Sequence, residues 1–93
     1  MATAFFVHDE HDNVGVAVVD IQTGDTAEGW VMETNGSMEV QATANIPLGH
    51  KMALAPIGKG EKVIKYGYPI GQATQEIAKG EHVHTQNLKS LRW

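Results

Sequence analysis

The stretch Gly29-Trp30-Val31-Met32-Glu33-Thr34-Asn35-Gly36-Ser37-Met38-Glu39-Val40-Gln41-Ala42 carries the clearest structural signal in the chain. An apolar run, Gly29 to Met32, breaks at Asn35-Gly36, a pair that readily adopts the positive φ angles of a hairpin turn. Ser37 to Ala42 then alternates polar and apolar residues, as a half-buried strand does. This predicts a β-hairpin with Trp30 packed in it. Working outward, Ala4 to His8 and Val14 to Ile21 are short apolar runs. The first ends in the polar cluster Asp9 to Asn13, the second at the turn Gln22-Thr23-Gly24-Asp25. Four Leu stand against nine Val, six Ile and seven Thr. Residues stiff at χ1 fit a pleated surface better than a helix bundle, so the chain reads as mostly β. Ile70 to Ala78 matches a helical stripe as well as a strand and is read as strand.

A local pattern recurs: Ile, two residues, Gly, two residues, then a small or apolar residue. It occurs at Ile21-Gly24-Ala27, Ile46-Gly49-Met52, Ile57-Gly60-Val63 and Ile77-Gly80-Val83, and in three copies an acid (Asp25, Glu61, Glu81) follows the Gly. The physical reading is a turn whose Gly takes φ > 0, flanked by residues that pack into one core. The copies are 25, 11 and 20 residues apart, which excludes a solenoid of fixed period.

The chain has 93 residues and a net charge of −4, which points to one domain over residues 1–93. A domain of this size is tight for a core plus an enclosed substrate pocket, so an enzyme active by itself is disfavoured. No basic stripe exists to neutralise phosphates, which argues against nucleic-acid binding. The absence of cysteine excludes disulfides, thiolate metal sites and a catalytic thiol. Asp9 and Glu10 near the start, and a longest apolar run of only Val14 to Val19, predict neither signal peptide nor membrane span, and a cytoplasmic protein.

Five His carry the obvious site chemistry. His82 and His84, two apart in an expected strand Glu81 to Thr85, point to one face. They suit metal ligation, proton sharing or an anionic ligand equally with a plain solvated pair. His50 and Lys51 follow the turn Ile46-Pro47-Leu48-Gly49 and suit a carboxylate or phosphate, or an exposed loop without function. His8 and His11, within His8-Asp9-Glu10-His11-Asp12, form a cluster that is metal-like in composition and reads either as a ligand set or, in preference, as a turn between strands. Lys65-Tyr66-Gly67-Tyr68-Pro69-Ile70-Gly71 reads either as a binding surface or as a β-turn with core aromatics. Trp93 reads as an interface anchor. No phosphate loop, dinucleotide fingerprint or serine nucleophile is present.

Three segments, taken in order, carry a family likeness: Pro47-Leu48-Gly49-His50-Lys51-Met52-Ala53-Leu54, Lys65-Tyr66-Gly67-Tyr68-Pro69-Ile70-Gly71-Gln72-Ala73 and Gly80-Glu81-His82-Val83-His84-Thr85-Gln86-Asn87-Leu88. Together they resemble the SAF-type domain of the altronate and galactarate dehydratase family, with Gln86 where the family pattern is closer to His. The resemblance implies a β-clip (SAF-like) fold, with short curved strands and a long hairpin. It implies a small subunit of a hydroxy-acid lyase, either a sugar-acid dehydratase such as altronate dehydratase or the alpha subunit of a sulfolactate sulfo-lyase. Such a subunit acts with a separate large catalytic subunit and a divalent metal, often iron, and the likeness also allows a homo-oligomer. On this reading His82, His84 and His50 are catalytic or ligate the metal, Lys51 neutralises the acid, and Tyr66 and Asn87 touch substrate. The alternatives are a non-catalytic sugar-binding module and a structural assembly subunit. The tail Lys89-Ser90-Leu91-Arg92-Trp93 resembles that of the sulfo-lyase small subunit.

Overall fold

The computed structural model of the chain describes residues 3–90. Those residues contain strands and turns and no helix, and none of them forms a helix long and apolar enough to cross a membrane. The strands are β1 (Phe5–Val7), β2 (Val14–Ala17), β3 (Thr26–Val31), β4 (Gly36–Gln41), β5 (Lys51–Ala53), β6 (Lys62–Lys65), β7 (Tyr68–Ala73), β8 (His82–Val83) and β9 (Leu88–Ser90). A six-stranded sheet has the order β4-β3-β1-β2-β5-β8, and a three-stranded sheet the order β6-β7-β9. Only the β1–β3 pair is parallel. This is the mostly β, SAF-like architecture that the sequence implies, with β3–β4 as its long hairpin.

That hairpin forms by a different turn from the one its Asn-Gly pair suggests. Gly36 is already in the ladder, opposite Val31, and the loop is the four residues Met32 to Asn35. Asn35 alone takes the left-handed conformation (φ 55°), and its Oδ1 accepts the Trp30 Nε1–H at 3.0 Å. Trp30 packs edge-on against Phe6, with centroids 5.6 Å apart. The tight two-residue turn is elsewhere, at Tyr66-Gly67 between β6 and β7, where φ is 57° and 74°. Mirror-image turns need positive φ at both central residues, so Tyr66 is held at the tip with its ring exposed, as is that of Tyr68. These aromatics are not core residues.

The repeated Ile-x-x-Gly turns organise the rest. All four glycines take positive φ, between 86° and 92°. Each copy is preceded by an alanine four residues before its Ile (Ala17, Ala42, Ala53, Ala73), and the copies interlock in pairs. Ile21 and Ile46 exchange both backbone hydrogen bonds, as do Ile57 and Ile77. Gly24 N–H donates to Ala42 O and Gly49 N–H to Ala17 O, while Gly60 N–H donates to Ala73 O and Gly80 N–H to Ala53 O, each at 2.8 Å. Each alanine N–H returns a bond to the residue after the partner's glycine. One pair lies in a core of Phe5, Val7, Ala27, Val40 and Met52, the other in a core of Val14, Val63 and Val83. Asn13 joins the two sheets: its Oδ1 accepts from Ile64 N–H at 2.7 Å and its Nδ2 donates to Lys62 O at 3.0 Å.

Three expected strands are shortened by this arrangement. The run Val14 to Ile21 is strand only to Ala17, Ile70 to Ala78 only to Ala73, and Glu81 to Thr85 only at His82–Val83. The first two enter an interlocking turn, and the third enters a turn built by Asn87. The tail from residue 91, with Trp93, lies outside the described residues.

Candidate functional site

The turn pattern explains why a histidine can stand at position 50. In three copies the residue after the Ile presents an N–H that the acid after the Gly accepts. Gln22 donates to Asp25 Oδ2 at 3.0 Å, Gly58 to Glu61 Oε1, and Ala78 to Glu81 Oε1 at 2.9 Å. In the copy at Ile46 the corresponding residue is Pro47, which has no N–H. No carboxylate is needed there, and the position carries His50 instead. His50 N–H still closes the turn onto Pro47 O at 2.9 Å.

His82 enters through β8, whose pairing sets it opposite Met52 in β5. His84 sits one residue beyond the strand, where Asn87 bends the chain back. Asn87 is completely buried. Its Oδ1 accepts from His84 N–H at 3.0 Å, its Nδ2 donates to His82 O at 2.8 Å, and its own N–H donates to His84 O at 3.0 Å. A buried amide with every polar group satisfied fixes one local conformation. Asn87 therefore positions the two histidines and presents nothing to a ligand.

The three rings converge. His50 Nδ1 and His82 Nε2 are 2.8 Å apart. Ring centroids are 4.3 Å apart for His50–His84 and 5.7 Å for His82–His84, all nearly parallel. One nitrogen from each lies within 4.8 Å of the others, and all three residues are half-buried. Burial, then the charges of His50, His84 and Lys51, push the His82 pKa below that of an ordinary imidazole. Gln86 Nε2 lies 3.1 Å from His82 Nδ1 and 3.2 Å from His82 O. The carbonyl can only accept, which orients the amide so that its N–H also faces Nδ1. In the neutral ring the proton then sits on Nε2, directed at His50 Nδ1.

Lys51 lies between Val16 and Val83 in the sheet and is half-buried. Burial and then the charge of Lys65 lower its pKa. Tyr66 is not among the histidines; its ring lies 3.8 Å from that of His8 and under Lys65 Nζ at 4.7 Å. His11 pairs with Asp9 at 2.9 Å in an exposed loop. Gln86 and Lys65 had no assigned role in the sequence reading. The four-residue spacing His82–Gln86 within a turn was the available signal for the first.

Three imidazoles form a donor set that suits first-row divalent metals such as iron or zinc. Nitrogens around a tetrahedral ion lie about 3.3 Å apart for bonds of about 2.0–2.1 Å. The observed spread brackets that value, so the residues fit a metal.

Residues 3–91 match the altronate/galactarate dehydratase SAF domain, and the chain belongs to that family. It is 43% identical over its whole length to the (2R)-sulfolactate sulfo-lyase subunit alpha of Chromohalobacter salexigens, covering 100% of both chains. It is also 43% identical, over 68% of its length and 94% of the relative's, to the corresponding subunit of Paracoccus pantotrophus. It matches the altronate dehydratase of Escherichia coli at 43% identity over 85% of its length, but covers only 15% of that enzyme.

Proposed function

We propose that the chain is the small subunit of a hydroxy-acid lyase, the sulfolactate sulfo-lyase alpha subunit being the nearer likeness in chain length. We further propose that His50, His82 and His84 are its contribution to the reacting centre. The observation that supports this most is the convergence of three half-buried imidazoles from two distant turns, one of them at the single repeat copy that lacks the carboxylate. The clefts beside Asp20 carry no histidine. A large partner subunit supplies the walls and the rest of the machinery.

The reaction removes a proton α to a carboxylate and expels a β group, water or sulfite. Burial keeps His82 uncharged near neutral pH, so its one basic nitrogen, Nδ1, is free of a proton and becomes the acceptor when the Gln86 amide swings away. As Nδ1 takes a proton, the proton on Nε2 can pass along the 2.8 Å contact to His50 Nδ1, which leaves His82 neutral again. Lys51 faces the carboxylate, stabilising the charge that builds on it. A divalent metal would be held by His50, His82 and His84 and would supply Lewis-acid polarisation of the acid.

The test has two arms. The tagged chain is recovered from its native extract and the co-purifying protein is identified by mass; the complex is then assayed with sulfolactate and with altronate. The expected result is a catalytic partner and turnover, with His84→Ala abolishing turnover while the partner still co-purifies. Loss of the partner in His84→Ala would instead assign the histidines to assembly. A chain that is recovered alone and binds free sugar would overturn the lyase reading.

A further inference from the structure

The two sheets end in four strand edges, and three of these are closed or blunted. Asn13 caps β6. Its backbone N–H donates to Ile64 O at 3.2 Å and its side chain takes up Ile64 N–H and Lys62 O, beside a register shift between Val63 and Ile64. The edge of β8 is two residues long, and Asn87 occupies His82 O. At the centre of β9 stands Lys89, a charge that discourages further pairing. The fourth edge, β4, differs. It runs six residues, Gly36–Gln41, in unbroken register with β3, and contains no lysine, proline or bulge.

Ala42 N–H donates to Asp25 O at 2.8 Å, continuing the β3–β4 ladder. Backbone groups alternate along an antiparallel strand, so those of Val40 and Met38 also face β3, while those of Ser37 and Glu39 point outward. Both residues are exposed. The outward side is taken up further along the chain, where Thr43 N–H bonds Gly80 O at 3.0 Å.

The side chains beside this edge give it a sign. Glu39 stands directly opposite Glu28, and next to them Trp30 stands opposite Ser37, with Phe6 paired to Trp30 on the far side. The same sheet face is covered at its other end, where Val14 and Ala53 lie in the core shared with β6 and β7. At Trp30 it is open, and the indole is 38% exposed. Like charges directly opposite each other weaken a ladder. Neither glutamate is relieved, since among the described residues the one ion pair within 4.0 Å is His11–Asp9.

We propose that β4 accepts an added strand from the partner subunit, an extended segment that sets a lysine or arginine against Glu28 and Glu39 and an apolar residue against Trp30. The added backbone satisfies the outward groups of Ser37 and Glu39, as in other cases of strand addition at an open edge. The cation relieves the repulsion and selects the partner by charge. A second copy of this chain is the wrong occupant. Two β4 strands paired about Glu39 would gather both glutamate pairs in one patch, and each chain already carries a net charge of −4. The open edge leads to Gly80, two residues before His82, so the added strand brings the partner chain toward the imidazoles. The inference rests on the lyase reading for the existence of that partner.

The experiment is amide hydrogen exchange, read residue by residue by mass spectrometry, on the co-purified complex and on the 93-residue chain alone. In the chain alone the Ser37 and Glu39 amides should exchange freely, and in the complex they should slow about tenfold or more. Those of Met38 and Val40, already in the ladder, should change far less. Glu39→Lys gives a second readout. It turns a repelling cross-strand pair into an attracting one, so the Tm of the chain should rise. Its dissociation constant for the partner should nonetheless weaken about tenfold or more, with Glu39→Gln between the two. A partner that co-purifies while Ser37 and Glu39 exchange as fast as in the free chain, or that binds Glu39→Lys unchanged, overturns the docking edge and leaves the lyase reading standing. Protection that appears in a complex of this chain with itself overturns it in favour of self-association. Recovery of the chain with no partner overturns both readings.

Discussion

His50 donates its backbone N–H to Pro47 O at 2.9 Å, in the one copy of the interlocking turn whose first residue has no N–H for an acid to accept. The proline and the histidine are thus one structural choice. Pro47→Ala should cost about 1 kcal/mol through the freed N–H and the looser unfolded chain. His50→Glu should recover that loss in the Pro47→Ala background but bring no gain beside the native proline. Urea unfolding of the four variants would read this coupling. Simple additivity would show that the two positions are unrelated.

Asn87 should matter more for stability than for contact with substrate. Asn87→Ala leaves His84 N–H without its partner, leaves His82 O only the 3.2 Å bond from Gln86 Nε2, and opens a small void. The expected loss is about 2–3 kcal/mol, or roughly 10–15 °C in Tm for a domain this small. Asn87→Asp keeps an acceptor for His84 N–H and should fall between the two. An unchanged Tm for Asn87→Ala would mean that the bend at His84 holds by other means.

Two glycines with the same backbone angle should respond very differently to alanine. Gly49 and Gly80 both have φ +86°, yet a Cβ on Gly49 meets nothing within 4 Å, whereas one on Gly80 would overlap the Gln41 carbonyl oxygen. Gly49→Ala should cost only the left-handed penalty of about 1–2 kcal/mol. Gly80→Ala must also displace backbone where Thr43 N–H bonds Gly80 O at 3.0 Å, and should lose at least twice as much. Denaturant midpoints of the two variants decide this.

The loop pair His11–Asp9 predicts a small pH effect of known sign. The hydrogen bond and charge of Asp9 raise the His11 pKa above 6.5. The folded state therefore binds this proton more tightly than the unfolded chain. The stabilisation is complete below about pH 6.5 and disappears as pH rises through the folded-state value. An NMR titration should show His11 titrating above a free imidazole. Asp9→Asn should move it back toward the ordinary value, with the charges of Glu10 and Glu33 still raising it, and high salt should shrink the difference.

Much of this could be read from residue order, because turns are local. The Ile-x-x-Gly copies, their positive-φ glycines and the hairpin after Trp30 each depend on a handful of adjacent residues. The interlocking was not legible, since Gly49 bonds Ala17 and Gly80 bonds Ala53 across more than two dozen residues. Residue spacing paired His82 with His84 but placed His50 nowhere near them; the family likeness grouped all three, and the fold sets their distances. Asn87 looked like a substrate contact for the same reason: side-chain burial is a tertiary property. Tyr66 and Tyr68 looked like possible core aromatics because the mirror-image turn that lifts the first into solvent is written only in the Gly67 beside it.

The interlocked pairs divide the chain at the histidines. His50 closes the last turn of the first pair, and His82 and His84 follow the last turn of the second. The 2.8 Å contact between His50 and His82 therefore lies where the two pairs of turns are joined, beside the β5–β8 ladder that sets Lys51 opposite Val83 and Met52 opposite His82. The same ladder that closes the sheet also fixes the distance between the two rings, so the imidazole pair comes with the fold and needs no ligand to assemble it.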